Sequence, residues 1–148
     1  YMALDDLSEG FRTELRNLRG IHSDERVAGP AIGLNAQRTN QTNESESWAP
    51  TVTTHPLVRT HPETGRESLY AQIAYTVGIE GMARNESQPL LDYLFEQNHR
   101  FPFTYRHEWA RDTVVLWDNR ALVHLAVNDC PDEHRLMHRL QVIGDRPV

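Results

Sequence analysis

The chain contains 148 residues with a formal net charge of −6, a length that suits one domain with a sizeable core. Nucleic acids and anionic membranes are bound by basic faces, so the acidic balance argues against both as bulk partners and favours a small molecule. All 15 basic residues are arginine, which excludes Schiff-base chemistry on a lysine.

The single cysteine, Cys130, cannot form an internal disulfide. No apolar run reaches the roughly 20 residues that a membrane-spanning helix needs. We therefore expect a reducing, cytoplasmic location.

Two helices are predicted. Ser8 can cap a first helix that carries Phe11, Leu15 and Leu18 on one face and ends near Gly20. Ser87 and Pro89 open the second helix, whose apolar residues are Leu90, Leu91, Leu94 and Phe95.

Between the two helices, residues 22–54 are rich in polar residues and are predicted to form a long loop or lid. A disordered insert is the alternative.

The last third of the chain has the alternating pattern of β-strands. Strands are predicted at 103–109, 113–117, 121–127 and 136–143, and a further strand, interrupted by Gly78, at 69–79. No repeat or linker divides the sequence. We predict a single domain over residues 1–148, mainly β with helices packed outside.

Chemistry-bearing residues concentrate in two motifs. The first is Trp117-Asp118-Asn119-Arg120 with His124 four residues after Arg120, followed by Arg135 and Arg139; the second is the His- and Arg-rich run 55–65, HPLVRTHPETG. An imidazole can hold a metal, and a guanidinium offers a planar fork that a carboxylate accepts bidentately. These motifs predict a small-molecule site.

Both motifs resemble those of the taurine dioxygenase (TauD/TfdA) family of Fe(II)- and 2-oxoglutarate-dependent oxygenases. The run WDNR-x3-H, the arginine eleven residues later, and MHR and GDRP resemble its C-terminal signature, while 55–65 resembles its HPxVRTHPxTG segment. The resemblance implies a double-stranded β-helix, the jelly-roll fold of clavaminate synthase-like enzymes, incomplete in this chain. It also implies Fe(II), held by two histidines and a carboxylate, and 2-oxoglutarate as cosubstrate.

The same resemblance implies roles for four residues. His124 matches the distal histidine of the iron triad, and Arg135 matches the arginine that pairs with the distal carboxylate of 2-oxoglutarate. Arg139 matches a position that holds the acidic group of the prime substrate, and Tyr75 one where an aromatic ring contacts that substrate. Surface arginines and an ordinary core tyrosine are the alternatives.

One family feature has no counterpart at its expected place, the His-x-Asp that supplies the other two iron ligands. The sequence does contain His22-Ser23-Asp24, but it follows the first helix, where the family carries a histidine that is not a ligand. We therefore interpret the chain as the C-terminal part of a longer enzyme. His22 and Asp24 as substitute ligands remain the alternative.

A zinc site is a further metal hypothesis. Cys130, His134 and His138 are spaced four apart, as on one helix face, with His124 as a fourth ligand. Pro131 and the β-like residues from Leu140 onward oppose a helix there.

The expected function is hydroxylation of a small, acidic organic substrate, a sulfonate, sulfate ester or carboxylate, with release of succinate and CO2. A non-catalytic jelly-roll remnant that binds a small acid or a partner protein is the alternative. Because an incomplete jelly roll exposes strand edges that seek partners, we also expect a homo-oligomer.

Overall fold

The computed structural model describes residues 1–29, 48–127 and 136–148. Its helices are α1 (Met2–Asp5), α2 (Glu9–Arg16), α3 (Glu25–Ala28) and α4 (Arg84–His99), with a 3-10 turn at Phe101–Phe103. Its strands are β1 (Arg19–Ser23), β2 (Val52–Pro56), β3 (Val58–Thr60), β4 (Glu67–Leu69) and β5 (Thr76–Ile79). None of the described helices is long and apolar enough to cross a membrane.

Both predicted helices are confirmed, with adjusted ends. Ser8 is the N-cap residue of α2, although its side chain makes no capping hydrogen bond. The second helix begins at Arg84, three residues before the predicted start at Ser87. Its first turn is held by Glu86, whose carboxylate accepts a hydrogen bond from the backbone N–H of Ala83 at 2.9 Å. The short helix α1 was not predicted.

The strands form two small antiparallel sheets. In the first the order is β2-β1-β5, and Ile21 of β1 lies between Thr54 and Gly78. The second is the β3-β4 hairpin, whose connecting turn uses Gly65 at a positive φ of 67°. The prediction of a mainly β unit is therefore met only in part, since the four helices contain more residues than the five strands.

The core lies between these sheets and the helices α1, α2 and α4. Its largest fully buried aliphatic side chains are Leu4, Leu15, Leu57, Ile79, Leu91 and Leu94. Gly20 in the central strand allows a close approach, because a Cβ there would lie 2.9 Å from Leu57 Cδ2 and 3.1 Å from His22 Nε2. Strand β1 thus packs directly against the segment that joins β2 to β3.

Several predicted strands are wrong. Residues 103–109, 113–117, 121–127 and 136–143 contain no strand, and their apolar side chains are largely exposed. A strand exists through its hydrogen bonds to a neighbouring strand, and the paired strands of the described residues all lie between Arg19 and Ile79. The alternating pattern is present in the C-terminal sequence, but no neighbouring strand among the described residues pairs with it.

Two other boundaries also differ from the prediction. The single strand predicted at 69–79 is divided, because Gln72 forms a turn in which its side-chain oxygen accepts hydrogen bonds from the N–H groups of Ala74 and Tyr75. The predicted loop at 22–54 is wrong at its ends, where β1, α3 and β2 contribute ordered residues. Its middle, residues 30–47, lies outside the described residues.

Candidate functional site

The segment that carries His124 begins at a turn held by its own side chains. Asp118 accepts hydrogen bonds from the Arg120 backbone N–H at 2.9 Å and from Arg120 Nε at 3.0 Å. His124 follows this turn with an exposed side chain, and its ring centroid lies 5.2 Å from that of Trp117. The predicted metal ligand is therefore accessible from solvent.

The two sequence motifs contact each other. His61 Nε2 lies 2.8 Å from Asp118 Oδ2, and Arg120 Nη1 donates to Glu63 Oε1 at 2.9 Å. Hydrogen bonds from Arg120, and then from His61, hold the pKa of the Asp118 carboxyl well below its usual range. The hairpin turn after β3 thus anchors the start of the segment that carries His124.

The environment of His61 determines which of its nitrogens carries the proton. Its ring is buried, and Nδ1 accepts hydrogen bonds from the backbone N–H groups of Glu63 at 3.2 Å and Thr64 at 3.3 Å. A neutral imidazole has one acceptor and one donor nitrogen. Nε2 therefore carries the hydrogen and donates a hydrogen bond to Asp118.

A cluster of aromatic and basic side chains lies on the first sheet and the hairpin beside it. The His22 ring stacks on Tyr70 with centroids 5.1 Å apart and meets the edge of His55 at 5.3 Å. Arg59 lies over the Tyr70 ring at 5.2 Å. Three buried nitrogens of this cluster have no hydrogen-bond partner among the described residues: His22 Nε2, His55 Nδ1 and Arg59 Nε.

Burial and positive neighbours shift the pKa values of the two histidines in this cluster. Burial, followed by the neighbouring His55, lowers the pKa of His22 to about 4. The pKa of His55 is lowered by burial and then by Arg146, Arg19 and Arg59. Both rings are consequently neutral near pH 7.

The alternative iron triad is not assembled. His22 is buried in the aromatic cluster, and an Asp24 carboxylate oxygen accepts a hydrogen bond from the Thr51 N–H at 2.8 Å. Within residues 1–29, 48–127 and 136–148, no three His, Cys, Asp or Glu side chains lie close enough together to hold a metal. His22, Asp24 and His124 therefore do not form a metal site in this structure.

The other predicted residues are exposed or lie outside the described residues. Tyr75 precedes β5 and is 40% exposed, while Arg139 is exposed in the C-terminal segment. Arg135 lies outside the described residues. So do Cys130 and His134 of the zinc hypothesis.

Sequence reasoning missed the contacts made by the HPLVRTHPETG segment. It considered His55, Arg59 and His61 only as parts of a motif, yet His55 and Arg59 supply two of the three unpartnered nitrogens and His61 contacts Asp118. The available signal was the density of histidine and arginine in eleven residues that are otherwise typical of a strand and turn.

The described residues thus form small antiparallel sheets with flanking helices, and two segments rich in histidine and arginine contact each other. The family model described as "Taurine catabolism dioxygenase TauD, TfdA family" matches residues 1–141. The chain belongs to this family, and the resemblance seen in the sequence is confirmed.

Individual relatives and solved structures support the same family membership. An alkylsulfatase of Acinetobacter baylyi is 33% identical over 144 residues, covering 97% of this chain and 45% of the relative. An alpha-ketoglutarate-dependent sulfonate dioxygenase of Saccharomyces cerevisiae is 35% identical over 150 residues, covering 99% and 34%. The crystal structure of AAD-2 in complex with Mn(II) and N-oxalylglycine matches with a TM-score of 0.57 at 30% identity, covering 73% and 40%. The chain thus spans less than half the length of these relatives.

Proposed function

We propose that this chain is part of an Fe(II)- and 2-oxoglutarate-dependent dioxygenase that hydroxylates a small acidic organic molecule and releases succinate and CO2. The observation that carries the proposal is the family match over residues 1–141, which includes both docked motifs. The names of the relatives support a sulfonate or sulfate ester as the acidic group. We further propose that the complete protein forms the double-stranded β-helix.

The donor set of the described residues does not by itself fit the iron ion. His124 offers one exposed imidazole at the family's distal ligand position, but no three candidate ligands converge in the part of the chain that the structure describes. Fe(II) in this class is held by two histidines and one carboxylate. The other two ligands would therefore have to come from residues outside the described ones.

Two arginines are proposed to hold the anionic groups. A dianion that enters a partly apolar barrel needs a fixed countercharge, and the bidentate guanidinium supplies one. We assign Arg135 to the distal carboxylate of 2-oxoglutarate, Arg139 to the acid of the prime substrate and Tyr75 to the substrate's carbon skeleton. These assignments depend on motif positions in the family.

The first test concerns His124. In the complete protein, His124→Ala is expected to abolish iron-dependent conversion of 2-oxoglutarate to succinate and to leave the circular dichroism spectrum unchanged, since the side chain is exposed. His99→Ala, at the exposed end of α4, is the matched control and should keep full activity. Normal succinate production by the His124 variant would refute the ligand assignment.

The second test separates the two arginines. Loss of a charged partner in a buried site costs on the order of 2–5 kcal/mol, so Arg135→Ala should weaken 2-oxoglutarate binding strongly. Arg139→Ala should act on the prime substrate instead. Anaerobic titration of 2-oxoglutarate against the iron-loaded protein measures both, with Arg111→Ala as an exposed control. Equal losses of 2-oxoglutarate affinity in the two variants would show that both arginines bind the cosubstrate.

A second candidate function is a non-catalytic jelly roll that binds a small acid or a partner protein. The lack of a three-ligand group among the described residues favours it. The complete protein would then bind 2-oxoglutarate or another small acid without producing succinate at any iron concentration. Sedimentation of the 148-residue chain tests a separate expectation: if the chain is a fragment, its exposed strand-forming sequence should make it oligomeric, and a cooperatively melting monomer would argue against that interpretation.

A further inference from the structure

A turn at residues 72–76, called the Gln72 turn below, lies in the connection from β4 to β5 and is closed by the side chain of Gln72. Gln72 Oε1 accepts hydrogen bonds from the backbone N–H groups of Ala74 at 2.9 Å and Tyr75 at 3.0 Å. The ends of the turn are joined as well. The Gln72 N–H donates to Thr76 Oγ1 at 2.9 Å, and the Thr76 N–H donates to the Gln72 carbonyl at 2.8 Å.

Neighbouring elements hold the Gln72 turn from outside. Ser23, at the end of β1, donates its N–H to the Tyr75 carbonyl at 2.8 Å. Arg26 of α3 donates from Nη1 to the Ile73 carbonyl, also at 2.8 Å. Because its backbone groups are engaged both within the turn and by two other elements, the turn is fixed in one conformation.

Burial changes abruptly along this short segment. Ala71 and Thr76 are each 1% exposed, whereas Ile73 is 54% and Tyr75 40% exposed. Tight turns are usually built from small and polar residues, and an apolar side chain left in water contributes no burial to the core. Ile73 and Tyr75 therefore offer apolar contact area that the described residues leave uncovered, on a turn whose backbone is held in place.

We propose that the Gln72 turn sets the selectivity for the carbon chain of the prime substrate. Ile73 contacts that chain beside Tyr75, and Gln72 is the positioning residue that holds both. The substrate class is a sulfate ester that carries a linear apolar chain. This inference rests on the proposed function, which assigns Tyr75 to the substrate's carbon skeleton. Since the gain from apolar contact grows with the area covered, the turn should discriminate between substrates by chain length.

Binding of methyl sulfate and hexyl sulfate to the complete protein tests the proposal. Both esters carry the same acidic group, so the ratio of their affinities isolates the contribution of the carbon chain. Calorimetry with Fe(II) and 2-oxoglutarate under anaerobic conditions, which prevent turnover, measures this ratio. Hexyl sulfate should bind at least about 100-fold more tightly than methyl sulfate, because each methylene group in a fitted apolar site is worth at least about tenfold.

Four variants separate contact from positioning. Ile73→Ser removes the proposed contact, and Gln72→Met removes the acceptor oxygen at nearly unchanged length. Each should lower the affinity ratio about tenfold, the value of one methylene contact. Gln72→Glu keeps an acceptor oxygen and should keep the ratio, even if its charge weakens binding of both esters. Gln88→Met on α4, where the amide donates to Asp92 at 2.7 Å, is the matched control and should also keep it.

An unchanged ratio in Ile73→Ser or in a folded Gln72→Met variant would overturn the proposal, as would equal affinity of the unmodified protein for the two esters. If Gln72→Met does not fold, Arg26→Met decides, because it removes the hydrogen bond to the Ile73 carbonyl, and an unchanged ratio there refutes the positioning role.

Succinate production, measured separately with hexyl sulfate and oxygen, distinguishes this proposal from the proposed function. Unmodified protein that binds the two esters in the expected order and produces no succinate refutes the dioxygenase and leaves the selectivity of the turn standing. Succinate production together with unchanged affinity ratios in the variants refutes the role of the Gln72 turn and leaves the dioxygenase standing.

Discussion

The regions before and after Phe103 differ more in secondary structure and burial than in sequence pattern. Before it lie all described helices and strands and every buried apolar residue of the core; after it, apolar side chains such as Leu116, Leu125 and Leu140 are exposed. Both regions contain strand-forming patterns. The difference shows that an alternating pattern sets which side chains would share a face, whereas a strand also requires a neighbour to pair with.

The largest expected difference between the two regions is in core substitutions. Leu94 is fully buried and Leu140 is 99% exposed. Leu94→Ala should lower the free energy of unfolding by about 2–5 kcal/mol, while Leu140→Ala should change it by less than about 0.5 kcal/mol. Urea denaturation of the 148-residue chain measures both. Comparable losses would show that the C-terminal residues pack against something in solution.

Acid should destabilise the first region through His22. Its pKa is about 4 in the folded chain and near its ordinary value of 6.5 in the unfolded chain, so the unfolded state binds more protons between these values. The free energy of unfolding should therefore be constant above pH 6.5 and fall as the pH drops toward 4, by roughly 3 kcal/mol for a shift of this size.

Urea denaturation between pH 7.5 and 4.5 tests this dependence. His22→Phe should have a shallower pH dependence than the unmodified chain, with the remainder due in part to His55, whose pKa is also lowered. His99→Phe, an exposed control, should retain the full slope. Identical slopes in all three proteins would contradict the role of His22.

A smaller effect is expected at Gly20. An added methyl group there would lie 2.9 Å from Leu57 Cδ2, and overpacking of this kind typically costs about 1–3 kcal/mol. Gly10 in α2 has open space around it, so Gly10→Ala should instead stabilise the helix slightly. Thermal denaturation of the pair distinguishes steric conflict from helix propensity, and a neutral Gly20→Ala would mean that Leu57 moves freely.

The smallest effect is expected where the two regions meet. Asp118→Asn removes the charge that His61 and Arg120 contact. We expect faster trypsin cleavage after Arg111 and Arg120 with an unchanged urea midpoint, because the core is not involved. Asp112→Asn, whose exposed carboxylate lies 3.9 Å from Arg111, is the control. Equal cleavage rates would show that this contact does not restrain the segment.

The sequence predicted the helices well because the apolar spacing of Phe11, Leu15 and Leu18, and of Leu91 and Leu94, is local information. It also identified the family, because each motif combines several chemically distinctive residues at fixed spacings in a short stretch. It did not predict the contact between His61 and Asp118, which are 57 positions apart. Nor did it predict that the pattern after residue 103 would remain unpaired, since pairing depends on residues distant in sequence.

The two ring nitrogens of His61 bind the hairpin turn and Asp118 at the same time, and no shorter side chain can make both contacts. Asparagine could imitate Nδ1 and keep the backbone N–H groups of Glu63 and Thr64 satisfied, but it would not reach Asp118. Glutamine could extend a donor to Asp118, but it would abandon the turn. Asparagine would therefore keep only the contacts that shape the hairpin turn, and glutamine only the contact that attaches the segment carrying His124. Comparing the two variants would show what each nitrogen of the imidazole ring contributes.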